Sequence, residues 1–201
     1  IDLRVPPFSQ NIHRGEYPDF GGGGQVWCSP TSTSMVQYHW GHEVPAGELT
    51  DIEAPNGDPQ VAYAAINTWD YAYEGAGNWP FNTAYAGRWG LDGAVTRLRS
   101  LAEAETLVAA GFPLVVSASW DLEEMPEAGY GTDGHLLVIG GFTAEGDPIV
   151  YDPNHSSNDE VRNVYTRENF ERVWQTSTDG ITYVIHPRDV RLPDAQKATN
   201  W

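Results

Sequence analysis

Residues 27–41 read WCSPTSTSMVQYHWG, and this stretch decides the fold. Pro30 suits the first turn of a helix, Gly41 suits its end, and the apolar residues between them follow helical spacing. The stretch therefore predicts a buried helix over about residues 29–40, with Cys28 at its N-terminal end. The position of this cysteine at a helix start is informative because the chain has no other cysteine.

Elsewhere the chain predicts helices mainly in its first half and strands in its second half. Further helices are predicted over about 58–73, 101–110 and 166–174. Buried strands are predicted over about 113–119, 135–142, 147–152 and 181–186. The aromatic and glycine-rich stretch 75–93 predicts a long ordered loop that has room for short strands, and four glycines at 21–24 predict a close backbone approach. This order is typical of an α+β fold. The length predicts one domain over 1–201, with a loose tail after about residue 188.

Composition excludes several classes of function. The chain has 201 residues and a formal net charge of −17, which argues against nucleic-acid binding because that needs basic surface. No apolar run approaches the roughly 20 residues of a membrane span. One cysteine excludes an internal disulfide framework and any multi-cysteine metal site. His39 and His42 lack a clear third ligand, and the acidic stretch 147–159 does not match a calcium-binding loop. No metal or cofactor is therefore expected.

Three residues are placed where a thiol enzyme needs them. The reactive form of cysteine is the thiolate, which is favoured at a helix N-terminus and beside a histidinium. Cys28 meets the first condition, and His135, at the start of a strongly apolar strand, is the leading candidate for the second. Asp152 ends the next strand, 17 residues later. In an antiparallel hairpin these two ends are neighbours, so we expect Asp152 to accept from one ring nitrogen while the other faces Cys28.

Each of these residues also has a structural interpretation. A lone cysteine before a helix is usually a small core residue, and His135 taken alone is more often a structural or surface histidine. Asp152, which precedes Pro153, is a ready turn starter. The combination is more specific than its parts, because all three groups fall at the ends of elements where such a site requires them. We therefore expect them to form one site.

Four blocks of the sequence resemble papain-like cysteine peptidases, and within these the branch related to the bacteriocin-processing (double-glycine leader) peptidases. The first block is the cysteine-containing stretch quoted above. The others are VPPFSQ at 5–10, AAGFPLVVS at 109–117, and GHLLVIGGF at 134–142 with VYDP at 150–153. The opening block is similar to the start of stand-alone, exported bacterial members. The resemblance covers roughly residues 1–155, and the order of Cys, His and Asp agrees.

The resemblance implies both a fold and a set of roles. The fold is papain-like, with an N-terminal helical half that carries the nucleophile at a helix N-terminus and packs on a C-terminal antiparallel sheet. The resemblance implies that Cys28 is the nucleophile, that His135 acts as general base and then acid, and that Asp152 orients His135.

The resemblance identifies the oxyanion donor less directly than it identifies the other three residues. The family uses a Gln upstream of the cysteine, and transporter-linked members have it six residues before, where this chain has Gly22. Gln10 lies in the matching Ser-Gln context of stand-alone members, and the insertion 12–24 can loop out to keep it near the cysteine. Gln25 is nearer in sequence but has little room to point back over the nucleophile. Gln10 is favoured, and Gln25 stays open as the alternative. Ser29 replaces the usual Gly after the cysteine, which keeps the backbone N–H that an oxyanion needs.

Together these features predict a thiol hydrolase that cleaves a peptide or amide bond through a thioacyl-enzyme intermediate. The expected partner is a peptide or protein substrate. The start at Ile1 without an initiator Met predicts a mature or a trimmed form of the chain. Acidity and few basic residues predict an exported bacterial protein with an extracellular location. Two alternatives stay open. One is a non-catalytic module that binds a peptide or cell-wall glycan on the same fold, and the other is transfer of the acyl group to an amine.

Overall fold

The computed structural model describes residues 1–195 and 200–201. The α-helices of this part of the chain are α1 (Cys28–His39), α2 (Pro59–Asn67), α3 (Trp79–Arg88), α4 (Leu101–Ala109) and α5 (Arg167–Thr178). Its strands are β1 (Leu91–Arg97), β2 (Leu114–Trp120), β3 (Thr132–Phe142), β4 (Pro148–Tyr151), β5 (Arg162–Val164) and β6 (Ile181–Pro187). Short 3-10 turns lie between several of these elements.

The strands form an antiparallel sheet in the order β1-β6-β2-β3-β4-β5. Helices pack on both faces, and the side chains of β3 alternate between the two resulting hydrophobic clusters. Leu137 and Ile139 belong to a cluster with α4 and α5. Leu136 and Val138 belong to another with α1 and α2. The α+β fold predicted from the sequence is confirmed.

Helix α1 is buried along most of its length although its first half consists largely of small polar residues. Small side chains allow close approach to the sheet, and their buried hydroxyls must be hydrogen-bonded. Ser29 Oγ lies 2.9 Å from Tyr183 Oη of β6, and Ser32 Oγ donates to the Leu136 carbonyl of β3 at 3.0 Å. These bonds attach the N-terminal half of α1 to the sheet. The buried helix predicted from residues 27–41 is confirmed.

Helix α2 is shorter than predicted. It ends at Asn67 rather than near residue 73. The cause lies in the following turn, where the Asp70 carboxylate accepts from the backbone N–H groups of Ala72 and Tyr73 at 2.9 and 3.2 Å. Such a side-chain turn offers the backbone an alternative to helix, so the apolar periodicity of the sequence overstates the length of α2.

The long loop predicted over 75–93 is wrong, because this stretch holds α3 and the beginning of β1. Asn78 caps α3 by accepting from the Phe81 N–H at 3.2 Å. Glycine allows α3 to pack tightly on β1, since a Cβ at Gly93 would lie 2.7 Å from the Thr83 carbonyl oxygen. One of the glycines that suggested a loop, Gly93, therefore serves helix–strand packing. The sequence also does not predict the three-residue strand β5.

The chain after β6 was expected to be loose. Val190, Leu192 and Trp201 are partly buried against the cluster of α4 and α5, and Trp201 Nε1 donates to the Pro193 carbonyl at 2.7 Å. The described part of the tail thus contacts the core, and residues 196–199 lie outside the described residues.

The glycines at 21–24 all have positive φ angles. Gly23, at φ 63°, passes so close to His13 that a Cβ would lie 1.9 Å from the His13 carbonyl oxygen. Gly22, at φ 75°, has no atom within 4 Å of such a Cβ. The predicted close backbone approach is present, and it folds the segment between Gln10 and Cys28 back on itself.

We expect Gly23→Ala to destabilise the protein by about 2–4 kcal/mol, since the new methyl group adds a backbone clash to the cost of a positive φ. Gly22→Ala is the matched control, because it carries only the conformational cost of about 1 kcal/mol. Urea unfolding followed by tryptophan fluorescence measures both free energies. Equal losses in the two variants would contradict the tight contact at Gly23.

Candidate active site

The β3–β4 hairpin brings His135 and Asp152 together. Tyr151, the last residue of β4, pairs with Val138 of β3, so Asp152 follows directly beside the beginning of β3. His135 Nε2 donates to Asp152 Oδ1 at 2.7 Å. Both residues are buried. The contact expected from the positions of these residues at the strand ends is present.

The Asp152 carboxylate is fully buried and is surrounded by donors. Besides His135, its Oδ2 accepts from Tyr130 Oη at 2.6 Å and from Tyr165 Oη at 2.5 Å. Its Oδ1 also accepts from the Asn154 N–H at 2.9 Å. Burial alone would raise the pKa of Asp152, but His135 and the two hydroxyls outweigh it and hold that pKa well below its usual range. The carboxylate is therefore ionised, as a group that orients a histidine must be.

The environment of His135 favours the imidazolium. Burial alone would lower its pKa, but the attraction and hydrogen bond of Asp152 outweigh burial and the Cys28 side chain adds to them, which raises the pKa of His135 to about 10. Trp120 and Tyr130 pack edge-on against the ring, each with its centroid 5.8 Å away. The ring is thus held in one orientation and kept ready to donate a proton.

Cys28 is the first residue of α1 and is 8% exposed. Because Nε2 of His135 is bonded to Asp152, Nδ1 is the ring nitrogen left for the thiol, and the Cys28 side chain contributes to the raised pKa of His135. The bond from Ser32 to Leu136 fixes this arrangement, since Ser32 lies one helical turn after Cys28 and Leu136 follows His135. The structure therefore brings together all three residues singled out from the sequence.

Both candidate oxyanion donors lie at the same site. Gln10 and Gln25 line a cavity that also includes His135. Gln10 is 1% exposed, its N–H donates to the Pro153 carbonyl at 3.0 Å, and its Nε2 lies 3.4 Å from Asn154 Oδ1. Gln25 is exposed. Gln10 is thus anchored to the segment that follows Asp152, whereas Gln25 sits on the surface of the short turn before Cys28.

Sequence reasoning missed the two tyrosines that hold Asp152. Tyr130 precedes β3 and Tyr165 follows β5, so their contact with Asp152 depends on the pairing of strands. Tyrosines are numerous in this chain, with ten in all, and no spacing distinguishes these two from the others. Only the position of Tyr130, five residues before His135, offered a signal.

The family of the chain is established by its sequence. A family model described as the Peptidase_C39 like family matches residues 2–181. The chain belongs to the Peptidase_C39 like family. The resemblance noted in the sequence is confirmed. No curated protein shows a significant match to the chain.

Solved structures of similar fold agree with this C39-like assignment. A double-glycine-motif protease from an AMS/PCAT transporter, solved with its leader peptide, has a TM-score of 0.54 and 16% identity over 92% of this chain and 94% of its own. A Bacillus anthracis protein described as a C39-like peptidase has a TM-score of 0.53 and 16% identity over 95% and 97% of the two chains. The peptidase domain of Streptococcus ComA, a bifunctional ABC transporter, has a TM-score of 0.52 and 13% identity over 82% and 93%.

These findings make the C39-like chain a cysteine peptidase with a papain-like fold. Among residues 1–195 and 200–201, no group of three or more His, Cys, Asp or Glu side chains is arranged to hold a metal ion. None of the helices described has the length and apolar character that crossing a membrane requires.

The His135–Asp152 pair predicts a pH dependence of stability. The folded pKa of His135, about 10, lies above its unfolded value of about 6.5. The pair therefore stabilises the fold fully below about pH 6.5, and this contribution is lost as the pH rises toward 10, by at most about 1.4 kcal/mol per pH unit. The pKa of Asp152 is held below its usual range. The stability that the ionised Asp152 contributes to the fold is therefore lost only in acid.

Urea unfolding of the wild type and of His135→Gln between pH 6 and pH 10 measures this contribution. We expect the difference in free energy of unfolding between them to shrink steadily over this range. His186→Gln serves as the control, because His186 lies outside the site. A difference that stays constant with pH would contradict a raised pKa at His135.

Proposed function

We propose that this C39-like peptidase hydrolyses a peptide bond through a thioacyl-enzyme intermediate, with Cys28 as nucleophile. The observation that carries the proposal is the buried 2.7 Å bond between His135 and Asp152, on a histidine whose pKa is also raised by Cys28. A nucleophile, a base within its reach and a group that orients the base are the parts that such chemistry needs. A binding module would have no use for a buried charged pair beside its thiol.

The geometry supports the following sequence of steps. The Cys28 Sγ thiolate attacks the peptide carbonyl carbon and forms a C–S bond, while negative charge develops on the carbonyl oxygen. His135 Nδ1 gives its proton to the leaving nitrogen, and the C–N bond breaks to release the amine product. The neutral imidazole then takes a proton from water, whose oxygen attacks the thioester carbon. Breaking the C–S bond releases the carboxylic acid and restores the thiolate–imidazolium pair.

Two donors are proposed for the oxyanion. The backbone N–H of Cys28 is at the first position of α1, where N–H groups have no partner within the helix. The Gln10 amide supplies the second donor through Nε2, whose bond to Asn154 is long at 3.4 Å. Preorganised donors of this kind stabilise the tetrahedral intermediate.

A peptide or protein is the proposed substrate. This assignment is supported by the AMS/PCAT transporter protease, which was solved in complex with a leader peptide. The double-glycine specificity in the description of that protein is not carried over, because fold does not determine substrate. An extracellular location remains a proposal that rests on composition.

The rate of Cys28 alkylation by iodoacetamide from pH 4 to pH 10 tests the proposed ion pair. Since the imidazolium stabilises the thiolate, we expect alkylation to remain rapid well below the range in which an ordinary thiol titrates, about pH 8.5. In His135→Ala the rate should instead follow an ordinary thiol titration, whereas His186→Ala should behave as the wild type. A wild-type rate that already follows the ordinary titration would favour the binding module.

The oxyanion assignment is tested by turnover of a cleaved peptide. We expect Gln10→Ala to lower kcat by about 10²–10³-fold, as loss of one oxyanion donor does elsewhere. Gln25→Ala is the matched control and should change kcat little, because that side chain lies on the surface. If Gln25→Ala lowered kcat and Gln10→Ala did not, Gln25 would be the oxyanion donor.

A further inference from the structure

A cavity of about 360 Å³ opens beside His135. Two exposed carboxylates lie in its lining, Asp121 and Asp133, and no lysine or arginine among the described residues lines it. Asp121 directly follows β2. The pairing of Trp120 of β2 with Thr132 of β3 brings Asp121 close to Asp133, at the end of the two strands. Strand pairing therefore fixes the two charges at one end of the cavity.

The carboxylates are available to a ligand. Neither has a hydrogen-bond or ion-pair partner within the part of the chain that the structure describes. Asp133 and His135 are two residues apart on β3, and both side chains line the same cavity. A ligand that contacts Asp133 would thus lie alongside the catalytic ring.

A third group in the lining also lacks a partner. Gln10 is 99% buried, and its Oε1 has no hydrogen bond among the described residues. A buried acceptor without a partner is costly until a donor reaches it. The lining therefore carries two carboxylates and one acceptor without a partner against a single cationic group, the His135 imidazolium, and this net negative charge favours a positively charged ligand that is rich in N–H donors.

The proposed mechanism places this cavity on one side of the scissile bond. His135 must approach the leaving nitrogen to protonate it, so the residues that follow the cleaved bond pass over His135. The cavity is beside His135, and Cys28 does not line it. Its occupant is therefore a side chain from the leaving-group half of the substrate.

We infer that this cavity binds a lysine or arginine side chain at the first or second position after the scissile bond. The inference rests on the proposed function and adds a substrate class to it. Ammonium and guanidinium groups supply several donors and a positive charge, which complement Asp121, Asp133 and the Gln10 oxygen. The new N-terminal ammonium of the leaving product is attracted by the same carboxylates.

The test begins with the wild-type enzyme and a library of peptides from a proteome digested at Glu. Mass spectrometry of the new N-termini identifies the cleaved bonds, and we expect Lys and Arg to be enriched at the two positions after them. Matched synthetic peptides with Lys or norleucine at the enriched position then give the ratio of their kcat/KM values, a ratio that should fall as salt is added.

The double variant Asp121→Asn/Asp133→Asn should lower that ratio by about tenfold, the effect expected of two exposed ion pairs. The double variant Asp51→Asn/Glu145→Gln removes the same charge from exposed positions outside the cavity and should keep the wild-type ratio. Alkylation of Cys28 by uncharged iodoacetamide checks that the nucleophile of each variant is intact.

The outcomes separate this inference from the proposed function. Cleavage without a preference for basic residues, or an unchanged ratio in Asp121→Asn/Asp133→Asn, would overturn the basic-residue inference and leave the peptidase mechanism standing. If the ratio fell equally in both double variants, the preference for basic residues would be due to the net charge of the protein. The inference that the cavity binds the basic side chain would then be overturned. Absence of any cleavage despite rapid alkylation of Cys28 would overturn the proposed hydrolysis and this inference with it.

Discussion

The Asp152 carboxylate is the constraint on which the rest of the site depends. A fully buried charge is tolerated only when its acceptor sites are filled. Here the donors come from four places: His135 of β3, Tyr130 before β3, Tyr165 after β5 and the backbone of Asn154. A shift in the register of β3, β4 or β5 would leave the charge without part of this shell. The Asp152 carboxylate, which is hydrogen-bonded to His135, therefore also favours the observed register of these three strands.

The other half of the site depends on close packing of α1. Serines at the beginning of this helix replace the large apolar residues that a buried helix usually presents, and their hydroxyls are satisfied by the sheet. Hydrogen bonds have stricter geometry than apolar contacts, so the helix cannot slide along β3 without breaking them. These hydrogen bonds fix the position of Cys28 relative to β3, which carries His135. The contribution of the Cys28 side chain to the raised pKa of His135 follows from this packing.

The sequence predicts much of this arrangement and fails at identifiable places. Helix α1 and strands β2, β3, β4 and β6 are recognisable because their apolar runs are long and bounded by Gly or Pro, and the pairing of His135 with Asp152 follows from hairpin geometry. Helix α3 is hidden because its stretch is rich in glycine and aromatic residues, which are typical of a loop, and the use of Gly93 in packing α3 on β1 appears only in the structure. The tyrosine shell of Asp152 and the acidic cavity depend on which strand ends meet, and one sequence without the register does not contain that information.

The residues of the site are far apart along the chain. Gln10 and Cys28 precede most of the sheet, whereas His135, Asp152 and Tyr165 lie beyond residue 130. Contacts between such distant segments carry a large loop-closure cost, which the folding chain must meet before the site is complete. As the ribosome makes the protein, Cys28 emerges long before His135 and Asp152. The buried arrangement of His135, Asp152 and Tyr165 can therefore form only when synthesis has passed Tyr165, long after Cys28 has been made.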